Sequence, residues 1–540
     1  MTKLTPVLLV ACFLGACVAM GGSVGCKRNQ PPVASPSSNP TLRIYAISTL
    51  AGALEPCGCV KNMLGGVDHA AALLAKGKQQ APHSLFLAAG PLWFMDPTLK
   101  PERQTQDVWK AESIADAMAD MGLQAWTPGA NDFAAGADTL KQLQQRSGAR
   151  LLAANVKVAG SQWPATAVLD VAGMKVGVAG VTQLKPVAGV TVGDPRSALS
   201  GALQEINKQK ADIKVALLAA DRGEALRWIE GLPGFDVVLI GKPSDQGEGN
   251  DATMAPVLVG DALVVQAPNH LQAVAMIDLF VTGDYGRFAD GTGLERAEQR
   301  QSLERRIAEL ERRLAQLQGK SDIKAADLAA RKGDLERLRD ELRGLSGPVT
   351  PPQGSFFRYE VSQVREELGT TAKVTERMGT YYKRVNDQNR EAFKDRRPPA
   401  LEPGQAHYVG MEECADCHEE ADEFWRKTGH AKAYQTLAKE FKEFNLDCVG
   451  CHVTGYEQPG GSTVTFVNNL KDVQCEQCHG PGSAHVDDSE RKGLIQRTPP
   501  KDLCAKCHHP PHVHEDWSVD EAWKHIIGPG HGQTAAAPQK

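Results

Sequence analysis

The sequence predicts a multidomain chain: an α/β sandwich of layered sheets and helices, a coiled-coil helical hairpin, and a small, mainly α domain with little apolar core of its own. Three observations predict this. Short apolar runs alternate with amphipathic stretches over residues 41–290. Leucines then step by threes and fours through 291–346. Finally, four Cys-x-x-Cys-His pentapeptides crowd 405–531. A chain of 540 residues also exceeds what one core usually covers.

The elements follow in order. A basic start at Lys3, an apolar run from Val7 to Met20 and a polar, proline-rich stretch over 27–40 read as a secretory signal (1–26) and a tether. The mature chain is therefore expected outside the cytoplasm. SVGC (23–26) and LGAC (14–17) both resemble the site where a bacterial signal peptidase cleaves before a lipidated cysteine. Cys26 is favoured, because the tether starts directly after it, whereas cleavage before Cys17 would leave an apolar VAMGGSVG on the mature chain. No other segment approaches the roughly eighteen apolar residues needed to span a bilayer. A lipid anchor on the periplasmic side of a bacterial envelope is the expected membrane link.

Within 41–290, LRIYAIS (42–48), SLFLAAG (84–90), MKVGVAGV (174–181), IKVALLAA (213–220) and FDVVLIG (235–241) read as buried strands. Residues 67–80, 109–121, 138–147 and 198–210 read as helices. In the hairpin, Leu303, Ile307, Leu310, Leu314 and Leu317 form one seam, and Leu335, Leu338, Leu342 and Leu345 the other. Gly319–Asp322 can turn the chain between them, so either an antiparallel hairpin or a dimer through an intermolecular coiled coil fits. Residues 347–404 connect to the last domain, and 532–540 read as a disordered tail.

CADCH (414–418), CVGCH (448–452), CEQCH (475–479) and CAKCH (504–508) start 34, 27 and 29 residues apart and use eight of the thirteen cysteines. Each pair supplies two thiols for haem vinyl groups, and the adjacent histidine ligates the iron. The expected cofactors are four covalent haems c (heme c), attached through Cys414, Cys417, Cys448, Cys451, Cys475, Cys478, Cys504 and Cys507. His418, His452, His479 and His508 are the proximal ligands. Structural zinc is the alternative, but such pairs usually cooperate two at a time, which leaves the four histidines unexplained. Aromatic residues make up only 6% of the chain, and macrocycles can replace side chains as apolar filling. A net charge of −5 argues against a nucleic-acid partner.

The landmarks IYAISTLAGALEP (44–56), LFLAAGP (85–91), MGLQAWTPGANDF (121–133), FDVVLIGKPS (235–244) and VQAPNHLQAVAMIDLFV (265–281) resemble the calcineurin-like metallophosphatase domain of periplasmic 5′-nucleotidases. The resemblance implies a two-sheet sandwich without the chemistry. Where that family has metal ligands, this chain has Thr49, Ala51, Pro91, Ala130, Asn131 and the run Gly241, Lys242, Pro243, Ser244, with Asp221 the one plausible survivor. Two-metal hydrolysis needs several carboxylates and imidazoles, so the domain reads as degenerate.

Its first loop carries LEPCGC (54–59). Cys57 and Cys59 are within disulfide reach only through a tight turn, and they read either as a local disulfide formed on export or as a redox or thiolate-metal pair, with His69 a third ligand. The loop looks like the EPCGC loop of a phosphatase-like exported family in which one cysteine can be selenocysteine, which suggests redox rather than hydrolytic use.

The last domain resembles the tetrahaem cytochrome c-554-type family through YVGMEECADCH (408–418), FWRKTGHAKAYQTL (424–437), CVGCHVTGY (448–456) and VQCEQCHGPGSAH (473–485). The resemblance implies electron transfer and makes His430 and His485 distal ligands, with His525 a weaker third. His407, His512 and His514 stay open, His509 reads as a surface neighbour and His531 as a tail residue. The expected function is electron transfer with other exported redox proteins or cytochromes. The alternatives are a phosphoester hydrolase with an appended cytochrome and a small-molecule reductase using an open haem site.

Overall fold

A computed structural model describes residues 39–56, 63–158, 161–185, 187–283, 287–317, 325–345, 349, 352–509, 512–513 and 517–531. The signal and tether with Cys26, the Cys57/Cys59 pair, the hairpin turn 318–324, His514 and the tail 532–540 lie outside the described residues.

Two sheets face each other in the α/β domain. The first has seven strands in the spatial order Ala289–Asp290, Phe356–Gln363, Ala273–Phe280, Leu42–Ser48, Ser84–Ala89, Ala125–Thr127 and Arg150–Leu151. The second has six: Val257–Val259, Ala262–Val265, Val237–Gly241, Ile213–Ala219, Met174–Thr182 and Thr166–Val171. The central strands are buried on both faces, which is why they read as continuous apolar runs. Along Leu42–Ser48, Leu42, Ile44 and Ala46 point into the layer between the sheets, while Tyr45 and Ile47 pack under the outer helices. Helices Val67–Gln80, Gln104–Met121 and Ala137–Ser147 cover the first sheet, and Pro195–Lys208 and Arg222–Glu230 cover the second.

Residues 347–404 do more than connect. Phe356–Gln363 pairs antiparallel with Ala273–Phe280, from Ala273 opposite Gln363 to Phe280 opposite Phe356. The following helix, Ala372–Ala392, packs against Gln104–Met121 and sinks Val374, Met378, Tyr381, Tyr382 and Val385 into the first core. The helices Leu294–Leu317 and Ala325–Gly344 are therefore an insertion between two adjacent strands. They pack together within the chain, with Leu303, Leu314, Leu335 and Leu338 buried and Arg339 bonded to Glu311 across the pair.

The C-terminal module consists of short helices and 3₁₀ turns around a small cluster of Tyr434, Val449, Val453, Val464 and Val467. Among the described residues, no helix is long and apolar enough to cross a membrane.

Candidate haem centre

Each pentapeptide winds into one turn. His418 and His508 donate their backbone N–H groups to Cys414 and Cys504, at 3.0 and 2.7 Å, and CEQCH forms its own short helix, Cys475–His479. A turn of this kind sets residues three and four apart on one side, so both thiols and the imidazole of a motif face the same space. None of the eight cysteines is in a disulfide.

The motifs are brought close to one another. The Cys414 thiol contacts Cys475, which pushes its pKa up, and Cys475 Sγ lies 3.6 Å from Met411 Sδ. Cys478 and Cys504 are close enough to interact electrostatically. The attachment sites thus run first to third and third to fourth. Glu476 ties this together: its buried carboxylate accepts from the N–H groups of Val409, Gly410 and Gly482 at 3.0, 2.8 and 2.7 Å.

Three imidazole pairs have the separation that haem would need. Two imidazoles holding one metal ion between them at bonds of about 2.0–2.1 Å would have centroids about 6 Å apart. His418 faces His485 at 6.4 Å, His430 faces His508 at 6.1 Å and His479 faces His531 at 6.5 Å. Each pair joins one motif histidine to one distant histidine. Hydrogen bonding prepares two of the motif rings: Nδ1 of His452 meets the Ala433 carbonyl at 2.5 Å, and Nδ1 of His479 meets Gln496 O at 2.7 Å. A carbonyl only accepts, so these Nδ1 atoms carry the proton and Nε2 keeps the lone pair that a metal needs. Burial, and to a lesser degree His508, lower the pKa of His430 and favour its neutral form.

His430 and His485, which the sequence expects as distal ligands, face His508 and His418. His531, read as tail, faces His479, and no such ring pair includes His525 among the described residues. His525 ends the helix Val519–Ile526, while the turn at Gly528–Gly530 carries His531 back toward the third motif. His509, read as a surface neighbour, packs edge-on against His512, 4.7 Å between centroids.

On the α/β side, the positions matched to the phosphatase motifs still converge. Thr49 Oγ1 accepts from the Lys242 N–H at 2.8 Å, and Ala130 N–H donates to Pro243 O at 2.7 Å. Beside them is a cluster the sequence reading missed. Lys242 Nζ lies 3.0 Å from Asp245 and 2.7 Å from Asp251, and Asp245 also meets Asn269 Nδ2 at 3.0 Å and His270 Nε2 at 3.4 Å. Burial opposes ionisation of Asp245, yet the hydrogen bonds from His270, Asn269 and Lys242 outweigh it and hold the pKa at about 2. Thr49, Ala51, His270 and Leu271 all have positive φ, near 50°, so the rim keeps a strained backbone of the kind found at functional sites. Asp221 stands at the start of helix Arg222–Glu230. His69 Nδ1 lies 2.8 Å from Gly369 O.

The second motif docks on this rim. Asp447, directly before Cys448, is bonded to Arg103 and, at 2.7 Å, to Lys110, both in helix Gln104–Met121 or its cap. Gln106 donates to Asn445 at 3.0 Å and accepts from Asn389 at 2.8 Å. Lys442 reaches Glu55 at 2.6 Å. Between the two parts lies a cavity of about 100 Å³ whose lining includes Leu54, Glu55 and Pro56 on one side and Cys448 on the other.

Residues 413–480 match the family model described as cytochrome c554 and c-prime. Cytochrome c-554 of Nitrosomonas europaea is 35% identical over 123 residues, covering 19% of this chain and 52% of that protein; the chain thus spans about half the length of this curated relative. Similar solved structures include the 5′-nucleotidase precursor of Thermus thermophilus (TM-score 0.43, 16% identity, 77% of this chain and 69% of that one). The NAD nucleotidase of Haemophilus influenzae gives 0.41 at 14% identity, covering 68% and 63%. A calcineurin-like phosphoesterase of Bacillus subtilis gives 0.42 at 15%, covering 64% and 97%. These likenesses carry no argument about activity.

Proposed function

We propose that this chain is an exported electron-transfer protein that carries four covalent haems c in its C-terminal module. The single observation that carries the reading is the set of three imidazole pairs, 6.1–6.5 Å between centroids, each containing one Cys-x-x-Cys-His histidine. Haem supplies a one-electron couple when bound. The eight thiols would hold it, the paired imidazoles orient it, and the contact of Cys414 with Cys475 sets neighbouring sites close. Protein matured with a cytochrome c assembly system should show the mass of four haems after denaturation; two or fewer would overturn the reading.

In this reading the α/β domain is a degenerate phosphatase fold. The Lys242 ammonium, between Asp245 and Asp251, takes a place among acids where a hydrolase would hold a cation. What supports a redox role for Cys57 and Cys59 is the position of Leu54–Pro56, directly before them, on the cavity that Cys448 also lines. Oxidation of the dithiol to a disulfide releases two electrons and two protons, matching two one-electron acceptors with the protons passing to water. Haem reduction after the pair is opened, by a reductant that does not itself reduce the haems, is expected to slow at least about tenfold in Cys57→Ser/Cys59→Ser. Equal rates would leave the pair a structural staple.

A further inference from the structure

We propose that Glu248, His509 and His512 form a divalent-cation site, suited to zinc, that pins the arm after the fourth motif to the α/β domain. The ligand atoms of the three side chains all lie within 4.8 Å of one another, and all three residues are partly buried. Two elements converge to build it. A 2.6 Å bond from His512 N–H to His509 O ties the two residues together, and their imidazoles pack edge-on at 85°. Glu248 comes from the opposite domain, in the loop after strand Val237–Gly241, and its Oε2 lies 2.5 Å from His512 Nε2.

Two imidazoles and a carboxylate are a ligand set that zinc accepts, with bonds of about 2.0–2.2 Å. Tetrahedral geometry at that length holds ligand atoms about 3.3 Å apart. The Glu248–His512 contact therefore opens by less than about 1 Å on binding, while His509 moves inward by up to about 1.5 Å. Three protein ligands leave one coordination position. Glu248 and His512 both line the interdomain cavity near Cys448, so a water or small anion can complete the shell there. The site is independent of the proposed redox role, since its ligands are neither the paired haem histidines nor the CGC thiols.

The test uses tag-free, full-length, four-haem protein stripped with a chelator and dialysed against zinc chloride. One zinc per chain is expected by elemental analysis, with only nitrogen and oxygen near 2.0 Å in zinc K-edge absorption. Glu248→Ala and His512→Ala should each weaken zinc binding at least about 100-fold with haem content unchanged, and His83→Ala should not. His509 is left intact, because it adjoins His508. The two variants perturb different domains, so a folding defect in one, seen as lost haem, leaves the other to decide. Retention of no zinc, sulfur in the first shell, or wild-type affinity in a folded variant overturns the site.

Discussion

In the four-haem protein proposed above, replacing His531 with alanine is expected to convert one haem from low spin to high spin with no haem lost. Where two imidazoles hold one haem iron, both would strengthen its ligand field, and removing one would weaken it. His531 stands 6.5 Å from His479, the spacing of such a pair, and contributes little else, as it is exposed near the chain end. The control is His525→Ala, the residue the sequence reading favoured, which should leave the spectrum unchanged. Electron paramagnetic resonance of the oxidised protein checks both: a new high-spin signal of one haem per chain in His531→Ala, none in His525→Ala. The opposite pattern would show that the Val519–Ile526 helix swings onto the iron. His485→Ala should act as His531→Ala does, through His418.

That contrast shows what was legible. A covalent attachment needs two thiols and a histidine on one turn, so its chemistry is written contiguously, and all four motifs stand out in the sequence. A distal ligand needs only to arrive, and tertiary packing decides which histidine does. His525 follows Trp523 in an amphipathic helix and looks purposeful; His531 lies among Gly528, Gly530 and Gly532 and looks like tail. The strand Phe356–Gln363 was obscured in a different way. Its partner, Ala273–Phe280, precedes it by a 294–345 insertion, and distance along the chain hides pairing that is adjacent in space. The Asp245–His270–Lys242 cluster was hidden because its members come from two loops, although Asn269-His270 inside an apolar run was a signal, since a polar pair in such a run must be satisfied when buried.

The connector also concealed how the two halves meet, and this yields the largest expected effect on stability. Asp447→Ala should destabilise the docked state by about 3 kcal/mol, because it strands the Arg103 and Lys110 cations in a largely buried interface. A change of that size lowers a melting transition by roughly 10 °C in domains of this length. Burial opposes the charge on Asp447, but attraction to Lys110 and Arg103 and their hydrogen bonds overcome it, holding its pKa well below the ordinary carboxylate value. The sign follows: a depressed folded-state pKa stabilises fully above the unfolded value of about 3.9 and fades as pH falls through the folded one. Wild type should therefore lose its advantage over Asp447→Ala only in acid, below about pH 4. With haem held covalently as proposed, the variant should keep its haem content while its module loosens from Gln104–Met121, visible as a larger radius in small-angle scattering and faster proteolysis near 443–448. Asp488→Ala, exposed and remote from this contact, should match wild type. If Asp447→Ala melts with wild type at neutral pH, the docking rests instead on the Gln106–Asn389–Asn445 network, whose amides do not titrate.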